Sequence, residues 1–190
     1  MLPLGIDRTR TVRGALSGVT AAAVWAALQP LDKAVARSDY DDVALLGTFV
    51  TRGDGWYPVG LAWHLLNGAA FGAAYANVAP ALPIPAPLRA PALVLTENFG
   101  TWPLAFLVDR FHPARDRLPA LRGNRAALAQ ATWRHLLFGV VLGELERRLN
   151  TAPEPAPPAE TVDHSSNGYV PLRSAESVTI EVIELPGSDE

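Results

Sequence analysis

The sequence predicts an all-α fold: a four-transmembrane-helix bundle built from two tandem two-helix repeats, followed by a disordered C-terminal tail. Three observations predict it. The first is a motif that occurs twice. His64-Leu65-Leu66-Asn67-Gly68-Ala69-Ala70-Phe71-Gly72 and His135-Leu136-Leu137-Phe138-Gly139-Val140-Val141-Leu142-Gly143 share HLLxGxxxG at a spacing of 71 residues. Upstream of each copy, Trp25 to Lys33 (WAALQPLDK) matches Trp102 to Arg110 (WPLAFLVDR) at a spacing of 77, each with a Trp, an Asp seven residues on and a basic residue after it. Two motifs repeated once in fixed order mark duplication of a helix–loop–helix unit, with a shorter loop in the second copy. The second observation is an uncharged run of 18 positions, residues 14–31 (GALSGVTAAAVWAALQPL). That is about the length needed to cross a hydrocarbon core. The third is the end of apolar periodicity after Asn150.

Taken in order, residues 1–13 form a basic N-terminal arm with Arg8, Arg10 and Arg13, and the first span covers about 14–31. A basic start followed by an apolar run also describes a secretory signal peptide. The mid-chain counterpart of this segment at residues 90–108 argues against cleavage. Residues 39–55, with acidic residues flanking an apolar DVALLGTFV, are too short to span and predict an interfacial helix or re-entrant turn. The second span is about 57–80. Pro80, Pro83, Pro85, Pro87 and Pro91 predict a stiff, non-helical connector over 80–91. The third span is about 88–108, residues 109–126 are polar and basic, and the fourth span is about 127–146; together they complete a membrane bundle over 14–150.

The tail, 151–190, opens with a Pro/Glu linker (TAPEPAPPAE) and reads as extended and disordered. Within 174–185, VTIEVIEL alternates apolar and polar residues. It reads as a chance patch in a disordered tail or as a short strand that adds to a protein partner's sheet edge.

Charge follows the same division. The tail holds 8 acidic residues and Arg173, while residues 1–150 hold 11 acidic and 15 basic residues, so the net −3 hides opposite balances. No nucleic-acid partner is implied. The absence of cysteine excludes disulfides, thiolate chemistry and Cys-ligated metals. Arginine far outnumbers lysine and alanine is abundant, which suggests a high-GC bacterial genome. Basic residues on the two sides of the predicted bundle are too evenly matched to orient it. The arginines ahead of the first span favour a plasma (inner) membrane location with both termini cytoplasmic.

In HxxxGxxxG the His and both Gly share one helical face. Gly68, Gly72, Gly139 and Gly143 therefore predict close packing of the second span against the fourth. His64, Asn67, Glu97, Asn98, Arg134 and His135 fall near the centres of their spans, where polar groups are costly unless paired or hydrated. They predict a buried cluster in which Glu97 pairs Arg134, serving structure, a proton or ion path, or a small-molecule site. His64 and His135, at matching depth, are also candidate axial ligands of a b-type haem. Asp32 and Asp109 read as snorkelling helix ends. No metal site and no catalytic residue is predicted, because no phosphate-binding loop, HExxH or GxSxG is present.

On the segments DVALLGTFV, HLLNGAAFGAAY and RHLLFGVVLGELE, the chain resembles an uncharacterised family of small bacterial four-helix integral membrane proteins with a duplicated HLLxGxxxG helix-pair repeat. The resemblance covers roughly residues 14–148 and implies architecture, with no activity or site role carried over. The expected function is therefore a non-enzymatic integral membrane protein, either a small transport or ligand-binding unit or a partner scaffold. A haem-binding or electron-transfer membrane protein and a soluble helical bundle for protein interaction are the alternatives.

Overall fold

The computed structural model describes residues 6–150, and these are all-helical, with no strand among them. The expectations placed on residues 151–190, including the 174–185 partner segment, lie outside the described residues. Helix α1 runs Arg8–Ala36, α2 Asp42–Val50, α3 Trp56–Val78, α4 Ala86–Thr101, α5 Ala105–Phe111 and α6 Arg125–Asn150.

Local chemistry sets most of these ends. Asp7, Asp41 and Asn124 each accept a backbone N–H three residues on, from Arg10, Ala44 and Ala127, and so start α1, α2 and α6. Arg37 ends α1 in the left-handed region at φ 49°. Part of the proline-rich connector is helical, contrary to expectation. Pro87 sits in the first turn of α4, where a missing N–H has no partner to lose, and Pro91 follows inside the helix. The expected third span is likewise not one helix. Trp102–Leu104, with Pro103 at its centre, forms a 3-10 turn that separates α4 from α5.

Helices α1 and α4 run one way, and α3 and α6 run the other. Helix α1 packs antiparallel to both α3 and α6, and α6 packs antiparallel to α4. Helices α3 and α4 make almost no direct contact. The resulting order in space is α3–α1–α6–α4, with α2 laid on α3.

The glycine motif packs differently from the expectation that the second span meets the fourth. Gly68 and Gly72 of α3 lie against Gly18 and Gly14 of α1, backbone to backbone, and a methyl group at Gly18 would overlap the Gly68 carbonyl oxygen. Gly139 and Gly143 of α6 lie against Pro91, Val94 and Ala90 of α4. Each copy of the motif thus docks on the preceding long helix of its own half. Between α1 and α3, small residues spaced by four on both partners allow the close approach, while on α4 the glycines of α6 admit Ala90, Pro91 and Val94. Gly47 of α2 and Gly60 of α3 make a further close pair.

An apolar cluster that includes Trp25, Tyr75, Val94, Phe138 and Leu142 shares the interior with polar side chains. Buried residues include Arg134, His64, Asn98, Gln130 and Asp32, while Leu16, Leu31, Trp63, Leu66, Trp133 and Val140 face outward. By length and composition alone, one helix among the described residues, α1, is able to cross a membrane.

Candidate functional site

The site begins with spacing on α1. Trp25 and Asp32 are seven residues apart, two helical turns, and share one face. Both are buried. Helix α6 offers that face Gln130 and Arg134, four residues apart. Asp32 accepts hydrogen bonds from Gln130 Nε2 (2.8 Å) and from Arg134 Nη2 (2.6 Å) as well as Nε. Arg134 Nη1 reaches Asp42 at the start of α2 at 2.7 Å, and the Arg134 side chain is fully buried.

This corrects the expected Glu97–Arg134 pair. Arg134 and His135 are neighbours in sequence, so they point about 100° apart on the helix. Arg134 turns to α1 and α2, and His135 turns to α4. There its Nε2 lies 3.0 Å from Glu97 Oε2, while its Nδ1 lies 2.8 Å from the Ala131 carbonyl oxygen. Asn98, the next residue on α4, is buried and donates to Thr132 Oγ1 of α6 (3.1 Å). Asp32 is accordingly not a snorkelling end but a buried partner. Its counterpart Asp109 accepts the Leu121 and Arg122 backbone N–H groups at 2.8 Å and shapes the loop before α6.

His64, buried on α3, contacts the Ala22 carbonyl oxygen through Nε2 at 3.1 Å. A carbonyl only accepts, so Nε2 carries the hydrogen. Trp25 joins the two histidines. Its ring centroid lies 5.1 Å from that of His64 and 4.9 Å from that of His135, edge-on to both. Its indole N–H donates to Asp42 Oδ2 (3.2 Å), and the Tyr40 hydroxyl donates to Asp42 Oδ1 (2.5 Å). Burial and the neighbouring Asp42 carboxylate push the Tyr40 phenol well above its ordinary value, so it stays a neutral donor.

Between α3 and α4, where the helices stand apart, lies a cavity of about 390 Å³. His64, Asn67, Glu97, Asn98 and His135 all line it, together with Asp42 and a wall of aromatic rings. Of the six polar residues singled out from the sequence, Arg134 alone is not on the wall; it stands behind it, holding Asp42. Asn67 and Glu97 are exposed. Sequence reasoning missed Asp32, Asp42, Tyr40 and the central role of Trp25. The seven-residue spacing of Trp25 and Asp32, repeated at Trp102 and Asp109, was the available signal for two of them.

The two histidines do not fit as axial ligands of one haem. Such ligands need a free nitrogen on each ring directed at a common iron. Both nitrogens of His135 already face protein oxygens, and the Trp25 ring packs against both imidazoles. Among the described residues, no three His, Asp or Glu side chains converge as a metal-binding group.

No family model, no curated protein and no solved structure matches this chain, so its functional reading rests on its own geometry.

Proposed function

We propose that the chain is an integral membrane protein of the bacterial plasma membrane that binds or passes a small molecule through the cavity between α3 and α4. In this reading α1, the one described helix apolar enough to span by composition alone, crosses the bilayer together with α3, α4 with α5, and α6, which turn polar side chains such as His64, Asn98 and Arg134 inward. Both ends of the bundle's chain lie on the cytoplasmic side beside Arg8, Arg10 and Arg13. The observation that carries it is the cavity itself, which touches His64, Glu97 and His135 together. A scaffold for a partner needs no such space. The membrane setting is supported by large apolar side chains facing outward around a centre holding Arg134, His64 and Asn98. A soluble bundle places these two classes the other way round. Helix contacts built on Gly and Ala instead of large apolar side chains point the same way.

Two experiments test this. After alkaline carbonate washing, the full chain stays with the membrane pellet; release without detergent would end the membrane reading. The chain has no cysteine, so single thiols report water access directly. Asn67→Cys, on the cavity wall, reacts with a charged methanethiosulfonate much faster than Phe99→Cys, which is exposed but off that wall. Equal rates would mean the cavity is not a hydrated binding space.

A further inference from the structure

The cavity wall has a definite chemistry. It carries two carboxylates, Glu97 and Asp42, two imidazoles and the rings of Trp25, Tyr40, Phe71 and Trp102, with no Lys or Arg among the lining residues. Asp42 is already committed. Tyr40 takes one of its oxygens, while Arg134 and Trp25 take the other. Glu97 is different, because Oε2 faces His135 whereas Oε1 has only a long 3.5 Å contact from the Thr101 hydroxyl.

The Glu97–His135 contact also fixes a proton count. Since the Ala131 carbonyl can only accept, His135 Nδ1 carries a hydrogen. Nε2 and Oε2, 3.0 Å apart, then need one further proton between them, on either atom, or two lone pairs would face each other. The pair as seen therefore holds one exchangeable proton. Around it stand Asp42 on α2, Tyr40 ahead of α2, His64 on α3, Arg134 on α6 and, behind Arg134, Asp32 on α1. The single guanidinium faces two carboxylates, so the centre has one negative charge to spare.

Resting on the membrane-cavity reading, we propose that the cavity takes a monovalent organic cation with an aromatic or alkyl body, and that this cation displaces the proton shared by Glu97 and His135. The aromatic wall accepts the body and stabilises the positive head through ring faces. Glu97 becomes its counter-ion, and His135 is left neutral with its hydrogen on Nδ1. Charge balances, because one cation enters and one proton leaves to solvent. A permanent quaternary ammonium, which carries no proton of its own, is the cleanest probe.

Binding of benzyltrimethylammonium to the full chain in detergent is measured by calorimetry in two buffers of different ionisation enthalpy, beside the uncharged isostere neopentylbenzene. The expected result is binding of the cation and not of the isostere. About one proton is released per cation wherever the pair holds its shared proton, with affinity rising up to about tenfold per pH unit there. Glu97→Gln, at an exposed position and checked by a cooperative melt, loses proton release and weakens cation binding at least about tenfold. His135→Asn, which can still accept or donate, keeps cation binding but loses its pH dependence. Equal binding of the isostere, or no proton release, overturns the cation–proton exchange and leaves the membrane cavity standing. Failure of a cooperatively melting protein to bind either probe overturns the cation site, while the carbonate wash and the thiol rates decide the membrane-cavity reading separately.

Discussion

Replacing Arg134 by Gln should be among the most damaging single changes in the chain. Its side chain is fully buried, and its two partners, Asp32 and Asp42, are nearly so, at 10% and 14% side-chain exposure. With the guanidinium gone, two carboxylates remain near one another with no cation. Breaking a buried pair by removing one member costs about 3–5 kcal/mol. Asp32→Asn alone should cost less, about 1–3 kcal/mol, because Arg134 keeps Asp42 and the centre becomes neutral. In the double variant Asp32→Asn/Arg134→Gln, the remaining carboxylate, Asp42, still accepts from Trp25 and Tyr40. The double loss should therefore fall short of the sum by about 0.5–3 kcal/mol. The assay is reversible unfolding in mixed micelles followed by far-ultraviolet circular dichroism. A second cycle sharpens it: Glu97→Gln with Arg134→Gln should be additive within about 0.5 kcal/mol, since the two side chains have different partners. Strict additivity for Asp32 and Arg134, or strong coupling between Glu97 and Arg134, would refute the assignment of partners.

Two further outcomes follow from local geometry. Gly18→Ala should destabilise by about 1–3 kcal/mol, because its methyl group meets the Gly68 carbonyl. Gly100→Ala, at an exposed position on α4 with nothing within 4 Å, should stabilise by about 0.5–1 kcal/mol. Equal effects in the same unfolding assay would remove the close α1–α3 approach. Tyr40 gives a pH test. Its folded-state value is raised, so above about pH 10 the unfolded chain releases a proton that the folded chain keeps, and stability falls as pH rises. Thermal melts should lose less between pH 9 and pH 11 in Tyr40→Phe than in the parent; an identical loss would show that Tyr40 is not held neutral.

The helical class was legible because the HLLxGxxxG face and the uncharged stretch over 57–78 mark long helices, whereas the charged end of α6 runs on to Asn150, past the expected 146. Partners were less legible. Glu97 and Arg134 lie at similar depth, and depth suggested a pair, but depth carries no information about direction around a helix. The 100° between Arg134 and His135 decided which residue met α4. The split of the third span followed from Pro103, whose missing N–H ends α4 in spite of an apolar sequence around it.

The duplicated motifs also account for where the cavity lies. The seam between α1 and α6 is closed by Asp32 and Arg134. The seam that corresponds to it by motif position lies between the α4–α5 segment and α3, where Asp109 and Trp63 occupy the matching places. Asp109 is spent on the backbone of the loop before α6, and Trp63 faces outward. Among the described residues no ion pair draws that second seam together, and α3 and α4 stand apart. Arg134 against Trp63 is the one divergent position of the two pairs, and with Asp109 engaged elsewhere the second seam stays open, with His64, Glu97 and His135 lining the space. A packing scaffold would gain by closing both seams. An acidic, aromatic-walled gap left unfilled between α3 and α4 is the feature on which the proposed ligand site rests.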